Sequence, residues 1–132
     1  MNRIVRVGVQ NKLNEERKKA IQKILLELNQ MNALVIVEGL NDRKAIRSLG
    51  YTGELFEISG KGRGLSKFAS ESQKFNVFIP LLDFDRGGRK LEYALKIRSN
   101  IGGITLNYNI RKKIKSIIPN LTHIEDLKNL VV

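Results

Sequence analysis

The sequence predicts an α/β fold, a three-layer sandwich around a small, mostly parallel four-stranded sheet. Two observations carry that expectation. Short, unbroken apolar runs recur at "ALVIV", "ELFEIS" and "NVFIPLLDF", with the character of strands buried on both faces. Each run is followed by a stretch with helical periodicity, and strands that alternate with helices join most readily through parallel crossovers.

The elements follow in order. Residues 1–32 read as a basic helical extension, with an amphipathic helix from about Glu15 to Met31. Its Ala20, Ile24, Leu25, Leu28 and Met31 share one face, and Asn14 is the expected N-cap before the acidic Glu15 and Glu16. "ALVIV" (Ala33 to Val37) is the first strand. "DRKAIRSLG" (Asp42 to Gly50) is a short helix capped by Asn41 or Asp42 and stopped by Gly50. "ELFEIS" is the second strand, "LSKFASESQ" a short helix and "NVFIPLLDF" the third strand. Pro80 within that third run has no N–H to give a ladder, so it points to an edge or a bulge. "GRKLEYALKIRS" is a helix from about Gly88 to Ser99. After Gly102-Gly103, "ITL" is the expected fourth strand, and "YNIRKKIKSII" a last basic helix ending before Pro119. The expected division is one domain over residues 1–132, with the core at 33–105 and a basic C-terminal helical segment at 106–132.

Composition narrows the class of protein. There is no cysteine, which rules out disulfides and thiolate metal sites. No run approaches a membrane span or the apolar core of a signal peptide, so the expected setting is cytoplasmic, without a membrane partner. A formal net charge of +11 predicts a polyanionic partner, most often nucleic acid. That charge is uneven: seven Lys and Arg face three Asp and Glu over residues 1–32, seven face seven over 33–85, and ten face three over 86–132. A neutral, carboxylate-bearing centre between basic arms reads as a site.

Its carboxylates fall where α/β proteins bind ligands, at the carboxyl ends of strands. Glu38 follows the first strand and is itself followed by Gly39. Asp83 and Asp85 end the third, and at i and i+2 of a strand they share one face. Like charges so close call for a positive one between them. Hard oxygen ligands beside glycines describe a magnesium site, with manganese as the other candidate. Capping of the next helix by an aspartate is the plainer account, but one aspartate would suffice for it.

"LVIVEGLNDRKAIRSLG", followed some forty residues later by "FIPLLDFDRGG", resembles the Toprim domain of topoisomerases, bacterial primases, OLD-type nucleases and rRNA-maturing ribonucleases. The glutamate-glycine motif is Glu38-Gly39, with a further acidic residue at Asp42. The aspartate-x-aspartate motif is Asp83-Phe84-Asp85, with Gly87 or Gly88 as the glycine after it. The likeness extends over about residues 33–105 and is nearest to small stand-alone archaeal Toprim proteins. It implies a Toprim/Rossmann-like sheet, Glu38 as general acid or base in phosphoryl transfer, and Asp83 and Asp85, with Glu38 beside them, as holders of magnesium. Tyr51, Tyr93 and Tyr108 match no nucleophilic tyrosine motif, so strand passage is not expected. Where some members carry a third acidic residue after the pair, this chain has Gly87.

The remaining motifs are weaker. "SGKGRG" is not a P-loop, but its Lys61 and Arg63 suit a phosphate, as do Arg86, Arg89 and Lys90 after the aspartates. In "IRKKIKSII" the isoleucines Ile110, Ile114 and Ile117 take one side, and Arg111, Lys112 and Lys115 the other. His123 has no partner at catalytic spacing and reads as structural. The expectation is a metal-dependent nuclease or phosphotransferase acting on RNA or DNA. The alternative is a non-catalytic module that binds RNA or a protein–RNA assembly.

Overall fold

The structure, a computed structural model, describes residues 3–59 and 64–130. In chain order its elements are α1 (Arg3–Asn29), β1 (Ala33–Val37), α2 (Leu40–Ser48), β2 (Glu54–Glu57), α3 (Leu65–Ser72), β3 (Val77–Pro80), α4 (Arg86–Ile101) and α5 (Asn109–Ile117). A 3-10 helix at Ile124–Leu130 follows, which the sequence pattern does not predict.

The sheet has three strands in the order β2-β1-β3, all parallel. The expected fourth strand is reduced to a single parallel bridge between Leu106 and Phe78, with the Asn107 N–H donating to the Phe78 carbonyl at 2.8 Å. The segment is turned at both ends: Gly103 takes a φ of +70° and the Ile104 N–H folds back to Ser99 O at 2.8 Å, while Asn107 Oδ1 accepts the Asn109 N–H at 2.9 Å as α5 begins. Pro80 is accommodated as an edge residue should be. The Leu81 N–H reaches Ile36 O at 2.7 Å, so alternation turns the proline nitrogen toward the outer edge, where the bridge at Phe78 asks no hydrogen bond of it.

Every residue of β1 is buried, and alternate side chains enter two separate cores. Ala33, Val35 and Val37 pack with Ile21, Leu25 and Leu28 of α1, Ile46 of α2, Ile114 of α5 and Leu127 of the 3-10 helix. Leu34 and Ile36 pack with Phe56, Phe68, Phe78 and Leu95. A strand that is apolar at every position therefore has helices on both faces, as its composition requires.

Other local expectations shift. α1 already begins at Arg3, so Asn14 lies inside it rather than capping it, and Ile21 joins the core while Met31 is exposed past the helix end. Gly39, not Asn41 or Asp42, is the N-cap of α2. Asp42 instead sits in the first turn, and its Oδ2 accepts the Gly39 N–H at 3.1 Å. Gly50 follows the end of α2 at φ +110°, a conformation that favours glycine. β3 stops at Pro80, leaving Asp83 and Asp85 in the connection to α4 rather than on the strand.

Candidate metal centre

Four carboxylates and a histidine meet beyond the carboxyl ends of β1 and β3. They form two overlapping groups whose ligand atoms lie within 4.8 Å of one another, Glu38–Asp42–Asp83 and Asp83–Asp85–His123. Asp83 belongs to both, while Glu38 and Asp85 fall in different ones. An open depression of about 470 Å³ lies over the first group, lined by Glu38, Gly39, Leu40, Asn41, Asp42, Asp83 and Glu125.

Each aspartate is held by backbone donors. Asp83 is 8% exposed, and its Oδ1 accepts the Ile124 N–H at 2.8 Å. Asp85 caps α4: its Oδ1 accepts the Gly88 N–H at 2.7 Å. The close approach that brings this helix to the site depends on one glycine. A methyl group on Gly88 would collide with the backbone carbonyl of Asp83, whereas one on Gly87 would meet only Asp85 Oδ1 at 3.6 Å. Gly88 is therefore the glycine that the motif requires.

The 3-10 helix and the residue before it supply what the sequence pattern hides. His123 Nε2 lies 3.0 Å from Asp85 Oδ2, the Ile124 N–H binds Asp83, and the Glu125 N–H binds Asp42. Three successive residues thus run across three carboxylates. Two signals for this are present in the sequence: His123 is the only histidine, and Glu125 and Asp126 interrupt an otherwise basic tail.

Electrostatics separate the members. Burial, above all, pushes the Glu38 carboxyl up to about 7, helped by a hydrogen bond with Asp83 and by the charges of Asp83, Asp42 and Asp85. Burial and then the Asp83 charge push Asp42 up to about 6, against the Gly39 N–H. Asp85 is held below its ordinary value, chiefly by the Gly88 N–H and also by His123. Among the described residues no Lys or Arg forms an ion pair with Glu38, Asp42, Asp83 or Asp85, although the chain carries a net charge of +11. Oxygen donors so close together and so little neutralised fit a divalent cation.

The expected nucleic-acid residues are placed unevenly. Arg86, Arg89 and Lys90 are exposed on the first turns of α4, and Lys112 is exposed on α5. Arg111 and Lys115 turn inward. Arg111 Nε and Nη2 donate to the carbonyls of Leu82 (3.0 Å) and Asp83 (2.9 Å), and Lys115 Nζ donates to Leu121 O at 2.7 Å. Both cations lie over the Phe84 ring, at 4.1 and 4.9 Å from its centroid. They brace the loop between the two aspartates. Lys61 and Arg63 lie outside the described residues.

With this geometry in place, comparison with known proteins identifies the family. Residues 33–117 match the Toprim domain. The chain belongs to the Toprim domain family. Such domains generally bind divalent metals and act on nucleic acids. Its relatives include the UPF0292 protein of Thermococcus sibiricus, 30% identical over 118 residues that make up 87% of this chain and 90% of that protein. The UPF0292 protein of Pyrococcus abyssi is 28% identical over 116 residues, 87% of this chain and 86% of that one. A solved structure of a protein from Aquifex aeolicus superimposes with a TM-score of 0.63 at 25% identity, over 87% of this chain and 94% of that one. Among the described residues, no helix of this Toprim protein is long and apolar enough to cross a membrane.

Proposed function

We propose that this Toprim protein is a metal-dependent enzyme of phosphodiester chemistry on nucleic acid, with Glu38 as its general acid and base. Asp83 and Asp85, with Glu38 beside them, are the residues that would hold the ion, magnesium in the first instance and manganese as the alternative. The observation that carries the reading is the Glu38 carboxyl. It lies within 4.8 Å of carboxylate oxygens of Asp42 and Asp83 and is raised to about 7, where a carboxyl both gives and takes a proton at neutral pH. A bound divalent ion supplies positive charge for the phosphate oxygens. Glu38 moves the proton, toward a leaving oxygen or away from an attacking water. Asp42 fixes the turn that carries Glu38 through the Gly39 N–H. Arg86, Arg89, Lys90 and Lys112 offer exposed charge for the nucleic-acid backbone, and Lys61 and Arg63 are added on their sequence alone.

The test is cleavage of a mixed pool of labelled RNAs and DNAs with magnesium or manganese, wild type beside Glu38→Gln. Loss of a general acid or base costs about a hundredfold to ten-thousandfold in rate, so the variant should be slower by that factor with nucleic-acid affinity unchanged. Equal rates would remove Glu38 from the mechanism. Salt-sensitive binding without cleavage of any substrate would replace the enzyme by a module that binds RNA or a protein–RNA assembly.

A further inference from the structure

His123 is built into the centre, not merely near it. The residues on either side of it are tied to the aspartate loop: the Phe84 N–H donates to Thr122 O at 2.8 Å, and the Ile124 N–H to Asp83 Oδ1 at 2.8 Å. The ring is fixed as well, with Nδ1 3.0 Å from Thr122 Oγ1 and 3.9 Å from Asp126 Oδ2. A metal-ligating histidine typically has its second nitrogen anchored in this way. Nε2 faces Asp85 Oδ2 at 3.0 Å, and a ring nitrogen of His123 lies within 4.8 Å of a carboxylate oxygen of Asp83. That spacing is a hydrogen bond while Nε2 carries the proton, and it is also short enough for one ion to take the proton's place between the two atoms.

We propose that His123 Nε2 is a direct ligand, with Asp83 and Asp85, of a divalent first-row transition ion. The centre then prefers manganese to magnesium. Imidazole suits transition ions and adds little for magnesium, which keeps its water and takes oxygen donors. The proposal rests on the metal reading of the same site.

The test uses the full chain and two ions, Mn2+ and Mg2+. Pulsed electron paramagnetic resonance of the Mn2+-loaded wild type should show coupling to a nitrogen nucleus, absent in His123→Gln. Calorimetric titration should give tighter binding of Mn2+ than of Mg2+ by about tenfold or more, with His123→Gln weakening Mn2+ by about ten- to a hundredfold and Mg2+ by less than about threefold. Mn2+ bound without nitrogen coupling in the wild type would overturn the proposal and leave the metal reading intact. Failure of both ions to bind, or unchanged binding in Asp83→Asn, would overturn the metal reading and the proposal with it. The wild-type spectrum decides the matter even where the variant folds poorly.

Discussion

Glu38 and Asp85 flank the same buried aspartate, yet their carboxyls are pushed in opposite directions. Glu38 follows a buried strand, among three other carboxylates and without a Lys or Arg partner among the described residues, and it rises to about 7. Asp85 sits at the start of α4, where the Gly88 N–H and His123 hold it below its ordinary value. One environment makes a carboxyl that can carry a proton near neutral pH, and the other favours the ionised form. Two acids driven apart in this way suit two roles in one reaction, proton transfer and cation binding. Removing the proton-carrying side with Glu38→Gln should have the largest effect, slowing cleavage by about a hundredfold or more in the labelled-pool assay.

The next effect breaks the other side. Gly88→Ala places a methyl group against the Asp83 carbonyl and so forces apart the helix cap and the buried aspartate. Overpacking of this kind costs about 1–3 kcal/mol. Gly87→Ala meets no such obstacle and gains helix propensity, so it should be neutral or stabilising by up to about 1 kcal/mol. Denaturant midpoints of the two variants give the answer. Equal shifts would mean that the cap does not depend on this close approach.

The two sides also differ in how pH acts on stability. Below about pH 4.5 Glu38 holds its proton in both the folded and unfolded chain. Between about 4.5 and 7 the unfolded chain releases that proton while the folded one retains it, so stability falls as pH rises. Asp42 acts in the same direction between 3.8 and about 6. Asp85, with its value lowered, contributes in the opposite sense and loses its contribution on acidification. Melting in the presence of a chelator should therefore show stability declining toward neutral pH, and saturating metal should remove the decline. Glu38→Gln without metal should flatten it too. An unchanged slope in that variant would assign the decline elsewhere.

How much of this is legible in the sequence depends on how local each cause is. β1 is legible to the residue, because five consecutive apolar positions admit few alternatives. The motifs place Glu38, Asp83 and Asp85 after apolar runs, and the structure brings them into two overlapping groups joined at Asp83 rather than into one. Their pairing geometry is not legible. The i, i+2 argument assumes a strand through Asp85, but β3 ends at Pro80, and the aspartates converge through loop and cap hydrogen bonds instead. His123 and Glu125 escape a sequence reading because their partners lie about forty to eighty residues earlier in the chain, a separation that periodicity cannot report. The fourth strand shrinks to one bridge because turn hydrogen bonds at Ile104 and Asn109 bend the segment at both ends.

The smallest expected effect, that of Lys112→Ala, is set against its neighbour on the basic helix α5, where the two cations are placed differently. Arg111 is spent on the carbonyls of Leu82 and Asp83 and on the Phe84 ring, while Lys112 points to solvent. Sequence pattern puts both on one polar face. Arg111→Ala removes two charge-assisted hydrogen bonds and a cation–ring interaction from the aspartate loop. It should lower stability by about 1–3 kcal/mol and weaken metal binding together with it. Lys112→Ala should leave stability within about 0.5 kcal/mol, as surface substitutions do. On the proposed nucleic-acid function its effect falls on binding: the slope of log affinity against log salt should flatten by about one unit or less, as expected when a single phosphate is deprived of its cation. Chemical denaturation and a salt titration of RNA or duplex DNA binding, run on both variants, separate the two tasks. An Arg111→Ala protein with wild-type stability and a flattened salt slope would reverse the assignment, making Arg111 a phosphate ligand and leaving the aspartate loop to be held by its backbone bonds alone.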